Sequence, residues 1–125
     1  MGSVDLWNDF PSKLAESLSR CVLAYDRLGF GKSDERDSLP SLEFIAEKAT
    51  NYFPAIKEHS SLGSYVLFGH SVGGGMAIKI ASQDSDCRAV VTVSAQVFVE
   101  DLTIKGIQKA KQMFEQRGQI KRLVK

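Results

Sequence analysis

Ser71 stands inside Phe68-Gly69-His70-Ser71-Val72-Gly73-Gly74-Gly75, which reads G-x-S-x-G from Gly69 to Gly73. An apolar run, YVLF at 65–68, precedes it, and a helix-compatible run to Ser82 follows. A strand–turn–helix bend of this kind lifts a serine hydroxyl clear of a sheet, where it can attack a carbonyl carbon. Val72 opens the following helix. Its amide is placed to donate to the developing oxyanion, helped by the positive end of the helix dipole. Small residues two before and two after the serine avoid clashes across the tight bend. Gly69, His70 and Gly73 are the candidate binding residues beside Ser71, the candidate nucleophile.

A serine hydroxyl is a weak nucleophile until a base takes its proton. The chain has two histidines, His59 and His70. His70 is the variable residue of the motif, and its backbone direction sends the ring away from the hydroxyl, so it reads as support for the bend. His59 falls near the end of a helix before YVLF, which places it at the other end of that strand. Neither is a base for Ser71. Two carboxylates, Glu100 and Asp101, follow a third apolar run and lie at the serine's end of the strands. Asp101 is the candidate acid; a cap for the helix beginning near Leu102 is the structural alternative for the same residue.

Two glycine-rich stretches resemble phosphate sites and fail the test. GFGKS at 29–33 requires a glycine five residues before its Gly-Lys-Ser, and that position is Asp26, a carboxylate where amides should cradle phosphate. A dinucleotide fingerprint starting at Gly69 would need glycine at Ser71.

The elements that must position these residues follow from periodicity. Leu6, Trp7, Phe10, Leu14 and Leu18 recur at helical spacing and predict a helix ending near Ser19, with Pro11 early in it. CVLAY, 21–25, is a short apolar run suited to a strand buried on both faces. DRLGFGKSDERDS is a polar, glycine-rich loop. Leu42 to Glu58 reads as a helix with Pro54 as a kink or break. YVLF is the second strand, Ser71 to about Ser82 a helix, and AVVTVSA at 89–95 the third strand. Helix alternating with strand predicts parallel strands joined by crossover helices, a doubly wound α/β sheet. Ligands gather beyond the carboxyl ends of such strands. Asp26, Gly69 to Ser71, and Gln96 to Asp101 all fall there.

At 125 residues the chain is one domain at most, and its 43% hydrophobic and 25% charged fractions are those of a globular protein. A net charge of +1 gives no global field toward nucleic acid or membrane. No apolar run approaches the ~20 residues of a membrane span. MGSVDLW shows no signal pattern, and Leu6 breaks the myristoylation pattern. Cys21 and Cys87 lie beside apolar runs and are expected as buried free thiols in a reducing compartment. The cytoplasm is the expected location.

YVLFGHSVGGGMAIKIAS resembles the nucleophile elbow and following helix of the α/β-hydrolase superfamily. VLAYDRLGFGKSD resembles that family's fourth strand and its D-x-x-G-x-G-x-S loop, with Asp26, Gly29, Gly31 and Ser33 in place. CRAVVTVSA resembles the sixth strand. The resemblance covers nearly the whole chain and implies a partial α/β-hydrolase fold, a serine nucleophile, a small-molecule carbonyl substrate, and no metal or cofactor. Residues 1–101 are the partial core, and 102–125 a basic helix that begins a cap or lid.

The family order along the chain is serine, acid, histidine. No histidine follows Ser71, so the base is expected outside this chain. Met1-Gly2-Ser3 looks like the remnant of the family's histidine-glycine loop. The family's third strand, which separates the fourth and fifth, is absent. Two unpaired apolar edges would result, and such edges favour self-association. The alternative to a hydrolase is a truncated, non-catalytic domain that binds a ligand or partner. Residues 103–125 carry seven Lys or Arg and one acid, Glu115. That run is expected to be a solvated lid face rather than a nucleic-acid site, with a weak preference for anionic substrates.

Overall fold

The computed structural model describes residues 2–96, 98 and 101–117. Met1–Ser41 and Leu42–Lys125 form two compact units. The architecture is a partial α/β fold with parallel strands and flanking helices.

In the first unit a short 3-10 turn, Val4–Trp7, precedes helix α1, Phe10–Leu18. The sequence pattern predicts one continuous helix here. Asn8, at φ 49°, interrupts it, because asparagine tolerates the left-handed region better than most residues. Trp7 and Phe10 still stack across the break, with ring centroids 5.5 Å apart. Pro11 sits in the first turn of α1, where its missing N–H costs nothing, and Ser19 ends the helix in the left-handed conformation.

Cys21–Tyr25 does not form the expected strand, and Cys21 is exposed rather than buried. A strand exists only as a member of a ladder, and the described residues offer this segment no ladder partner. Both cysteines are free thiols, and Cys87 is half-buried.

The loop after Tyr25 is organised around one carboxylate. The Val4 amide donates to Asp26 Oδ1 at 2.5 Å and the Lys32 amide to Oδ2 at 2.9 Å. Ser33 Oγ donates to the Asp26 carbonyl at 2.6 Å, and the Gly29 amide to the Asp34 carbonyl at 2.8 Å. Gly31 has φ 58°, and a Cβ there would run into the Asp26 carboxylate. The amide donors from Lys32 and Val4 hold the Asp26 carboxyl below its usual range. At Lys32, the GFGKS stretch therefore turns its backbone donor toward the protein's own carboxylate, which is why it is not a phosphate cradle.

In the second unit a helical segment runs from Phe44 to His59. It consists of α2, Phe44–Glu47, a widened π turn, Lys48–Tyr52, and α3, Phe53–His59. The expected kink at Pro54 takes this form. Proline lacks an N–H and its ring collides with the carbonyl four residues earlier, and a π turn immediately before it relieves both problems.

Strand β1, Tyr65–His70, pairs in parallel with β2, Cys87–Val93, through the crossover helix α4, Val72–Ala81. Phe68 lies opposite Val91 and His70 opposite Val93. The core is Ala49, Phe53 and Ile80, with Tyr65 and Leu67 packed against it. Side chains alternate across a strand, so Tyr65 and Leu67 face this core while Val66 faces away and is exposed. Helix α5, Asp101–Arg117, carries the basic segment; Leu102, Ile104 and Ile107 on it are exposed. Lys121, Arg122 and Lys125 lie outside the described residues. No helix among the described residues is long and apolar enough to cross a membrane.

Candidate functional site

Ser71 occupies the single residue between the end of β1 and the start of α4. Its backbone sits at φ 54°, ψ −123°, a region that costs a non-glycine residue about 1–3 kcal/mol. Such a conformation persists only when the surroundings enforce it, and here the enforcement can be traced. The Ser71 amide donates to the Val93 carbonyl at 2.9 Å, at the end of β2. The Ser71 carbonyl accepts from the Gly74 amide at 2.9 Å and from the Gln96 amide at 3.2 Å. The bend is thus tied forward to its own helix and sideways to the neighbouring strand and the chain beyond it.

The glycines of the motif do unequal work. A Cβ on buried Gly69 would lie 2.6 Å from the Gly73 carbonyl carbon and 2.7 Å from the Gly74 Cα, so the first turn of α4 can fold down over β1 only if position 69 has no side chain. A Cβ on Gly73 would meet nothing within 4 Å. The expectation that both flanking small residues avoid a clash holds for Gly69 and is corrected at Gly73. The closeness is between the backbone of Gly73 and Gly69, and removing one Cβ is enough.

Gly74 and Gly75 serve a contact that sequence reading missed. A Cβ on Gly74 would sit 2.6 Å from the Ala95 Cβ, and one on Gly75 would sit 2.8 Å from the Gln96 carbonyl oxygen. The glycine run lets α4 approach the two residues beyond β2, and Gln96 then holds the Ser71 carbonyl. The small residue Ala95 after the VVTV run was the available signal.

Val72 is the first residue of α4, so its amide belongs to the helix's first turn, whose N–H groups have no partner within the helix. Together with the helix dipole it forms a donor beside Ser71 of the kind an oxyanion requires. Ser71 itself is half-exposed. His70 is exposed and lies on the Val66 face of β1, opposite Gly69. His59 closes α3, ahead of Tyr65 at the N-terminal end of β1. The six-residue strand separates that end from Ser71 by about 17 Å. Asp101 is exposed in the first turn of α5, where a carboxylate complements the helix dipole. Glu100 lies outside the described residues. No cluster of metal-ligating side chains occurs among the described residues.

At the opposite end of the strands a second polar group is built. Lys57 Nζ, from α3, reaches both Asp84 oxygens at 2.9 and 2.7 Å and Asp86 Oδ2 at 2.7 Å. Its hydrogen bonds, first from Lys57 and then from Tyr65, hold the Asp84 carboxyl at about 2. Burial, and then the neighbouring Asp84, push the Tyr65 hydroxyl upward. The Asp86 amide also donates to Asp84 Oδ1 at 2.9 Å, which fixes the turn entering β2.

A family model described as alpha/beta hydrolase fold matches residues 1–120. A proline iminopeptidase of Lactobacillus crispatus (strain ST1) is 36% identical over 77 residues, 62% of this chain and 26% of the relative. The chain therefore spans about a quarter of the length of that curated relative. No solved structure matches it.

Proposed function

The chain belongs to the alpha/beta hydrolase fold family, and from that premise we propose that it carries the nucleophile side of a serine hydrolase acting on an ester, thioester, amide or related carbonyl bond. Ser71 Oγ attacks the carbonyl carbon while a histidine from outside these residues takes its proton. The Val72 amide supplies half of the oxyanion hole. Collapse of the tetrahedral species expels the leaving group, which receives that proton, and water repeats the sequence to release the acyl group. Gly69, His70 and Gly73 shape the approach to Ser71, and Asp101 is the candidate acid. The helix beginning near Leu102 is the proposed start of a lid over a small-molecule substrate. A relative named a proline iminopeptidase makes a peptide bond the first carbonyl bond to test. Free thiols fit a reducing compartment, and the cytoplasm is the proposed location.

The observation that carries this reading is the enforced backbone of Ser71 at the strand–helix bend. Strain at one exposed polar residue, held by three backbone hydrogen bonds, is characteristic of functional positions. The test is labelling with a fluorophosphonate probe, with the modified peptide mapped by mass spectrometry. The chain as given is compared with a version extended by its flanking coding sequence. We expect label on Ser71, faster in the extended protein, and none in Ser71→Ala. A folded extended protein that takes no label on Ser71 overturns the reading.

One observation favours a second reading, a non-catalytic binding domain. The chain's two histidines are badly placed for a base: His59 is a strand length away, and His70 faces along the Val66 side of β1. Absence of label from both proteins, with their folds intact, is the result this reading expects.

A further inference from the structure

We propose that the open edge of β1 docks a second copy of this chain, and that the segment it receives is Cys21–Tyr25 of that copy, exchanged reciprocally about a two-fold axis. The inference does not depend on Ser71 being a nucleophile. It rests on a vacancy and a matching surplus.

The vacancy is in the sheet. Among the described residues β1 is laddered to β2 alone, so the backbone donors and acceptors along its other edge have no strand opposite them. Parallel strands are ordinarily paired on both sides and covered on both faces. The β1 edge also lacks the features that normally protect such strands. Its sequence, YVLFGH, has no lysine, glutamate or proline, and its register irregularity lies at Tyr65/Val66, leaving the rest of the strand regular. The face turned away from the helices is apolar and open: Val66 is 59% exposed, Val91 46% and Val93 44%.

The surplus is Cys21–Tyr25. It is uncharged, rich in strand-forming side chains and close to β1 in length. It carries no ladder, and Val22 and Leu23 stand 37% and 48% exposed. A net charge of +1 sets no barrier against a second copy. One exchanged strand falls short of the roughly 800 Å² per partner that stable complexes bury. A reciprocal pair doubles the area and closes the assembly, because the same patch serves both copies.

Light scattering coupled to size exclusion, over a concentration series, tests this. We expect a species of twice 13.8 kDa. Leu23→Pro removes a donor from the middle of the exchanged segment and should weaken dimerisation roughly tenfold or more per strand. Circular dichroism should be unchanged, since Leu23 has no ladder within one copy. If that variant unfolds, a synthetic peptide of residues 19–27 decides the matter: it should convert the wild-type dimer into a peptide-bound monomer. A folded wild-type chain that stays monomeric overturns the proposal. So do a dimer that neither Leu23→Pro nor the peptide disturbs, and growth into open-ended aggregates.

Discussion

The two ends of the β1–β2 pair are built from opposite kinds of energy. At the N-terminal end every group is satisfied: Lys57 lies between Asp84 and Asp86, the Asp86 amide meets Asp84, and Tyr65 packs on Phe53 with ring centroids 5.4 Å apart. At the C-terminal end the structure holds Ser71 in an unfavourable backbone conformation and aims the first amides of α4 outward beside it. Charge sits where it neutralises charge and fixes a turn. Strain sits where an exposed hydroxyl meets unsatisfied donors. The difference separates a stabilising polar cluster from a candidate reactive one, although the first contains more ionisable groups.

That contrast can be broken at several points. The largest effect belongs to the stability end. Phe53→Ala empties the core contact with Ile80 and Tyr65 and should cost about 3 kcal/mol in denaturant unfolding, with no change in where a serine probe reacts. Next is Gly69→Ala, whose methyl has no room against the Gly73 and Gly74 backbone and should cost about 2 kcal/mol. Ser71→Gly should move the other way, gaining about 1 kcal/mol as the φ 54° position becomes unstrained, while probe labelling is lost. A loss of stability there would show that Ser71 is not strained. Gly73→Ala is the internal control for Gly69. Its Cβ enters open space in a helix, so unfolding should show a gain of about 0.5–1 kcal/mol.

The smallest effect is read in acid. The Asp84 carboxyl at about 2 lies below its ordinary 3.8, so its contribution is complete above the higher value and lost as pH falls through the lower. Asp84→Asn should flatten the fall in stability between pH 4 and 2 and leave the neighbourhood of Ser71 untouched. An unchanged acid limb would remove Lys57–Asp84 from the stabilising side of the comparison.

Much of the site was legible from local pattern. The bend at Ser71 depends on residues within five positions of it, and the G-x-S-x-G spacing with its apolar and helical flanks states that geometry directly. The parallel pairing of the second and third apolar runs followed from the helix between them. Cys21–Tyr25 was misread for a physical reason. Its apolar run specifies what a strand would bury but cannot supply the strand that pairs with it. The polar group at the N-terminal end was not anticipated either, because Lys57, Asp84 and Asp86 are ordinary surface residues until the fold brings α3 over the turn before β2.

By itself the sequence determined the serine, the glycine that lets a helix fold down over its strand, and the family to which both belong. Tertiary structure decided which interactions hold the serine in place. The Val93 carbonyl and the Gln96 amide reach Ser71 from 22 and 25 positions along the chain. Distance along the chain hides such partners. A local motif can demand an unfavourable backbone conformation, but only contacts brought from elsewhere in the fold can maintain it.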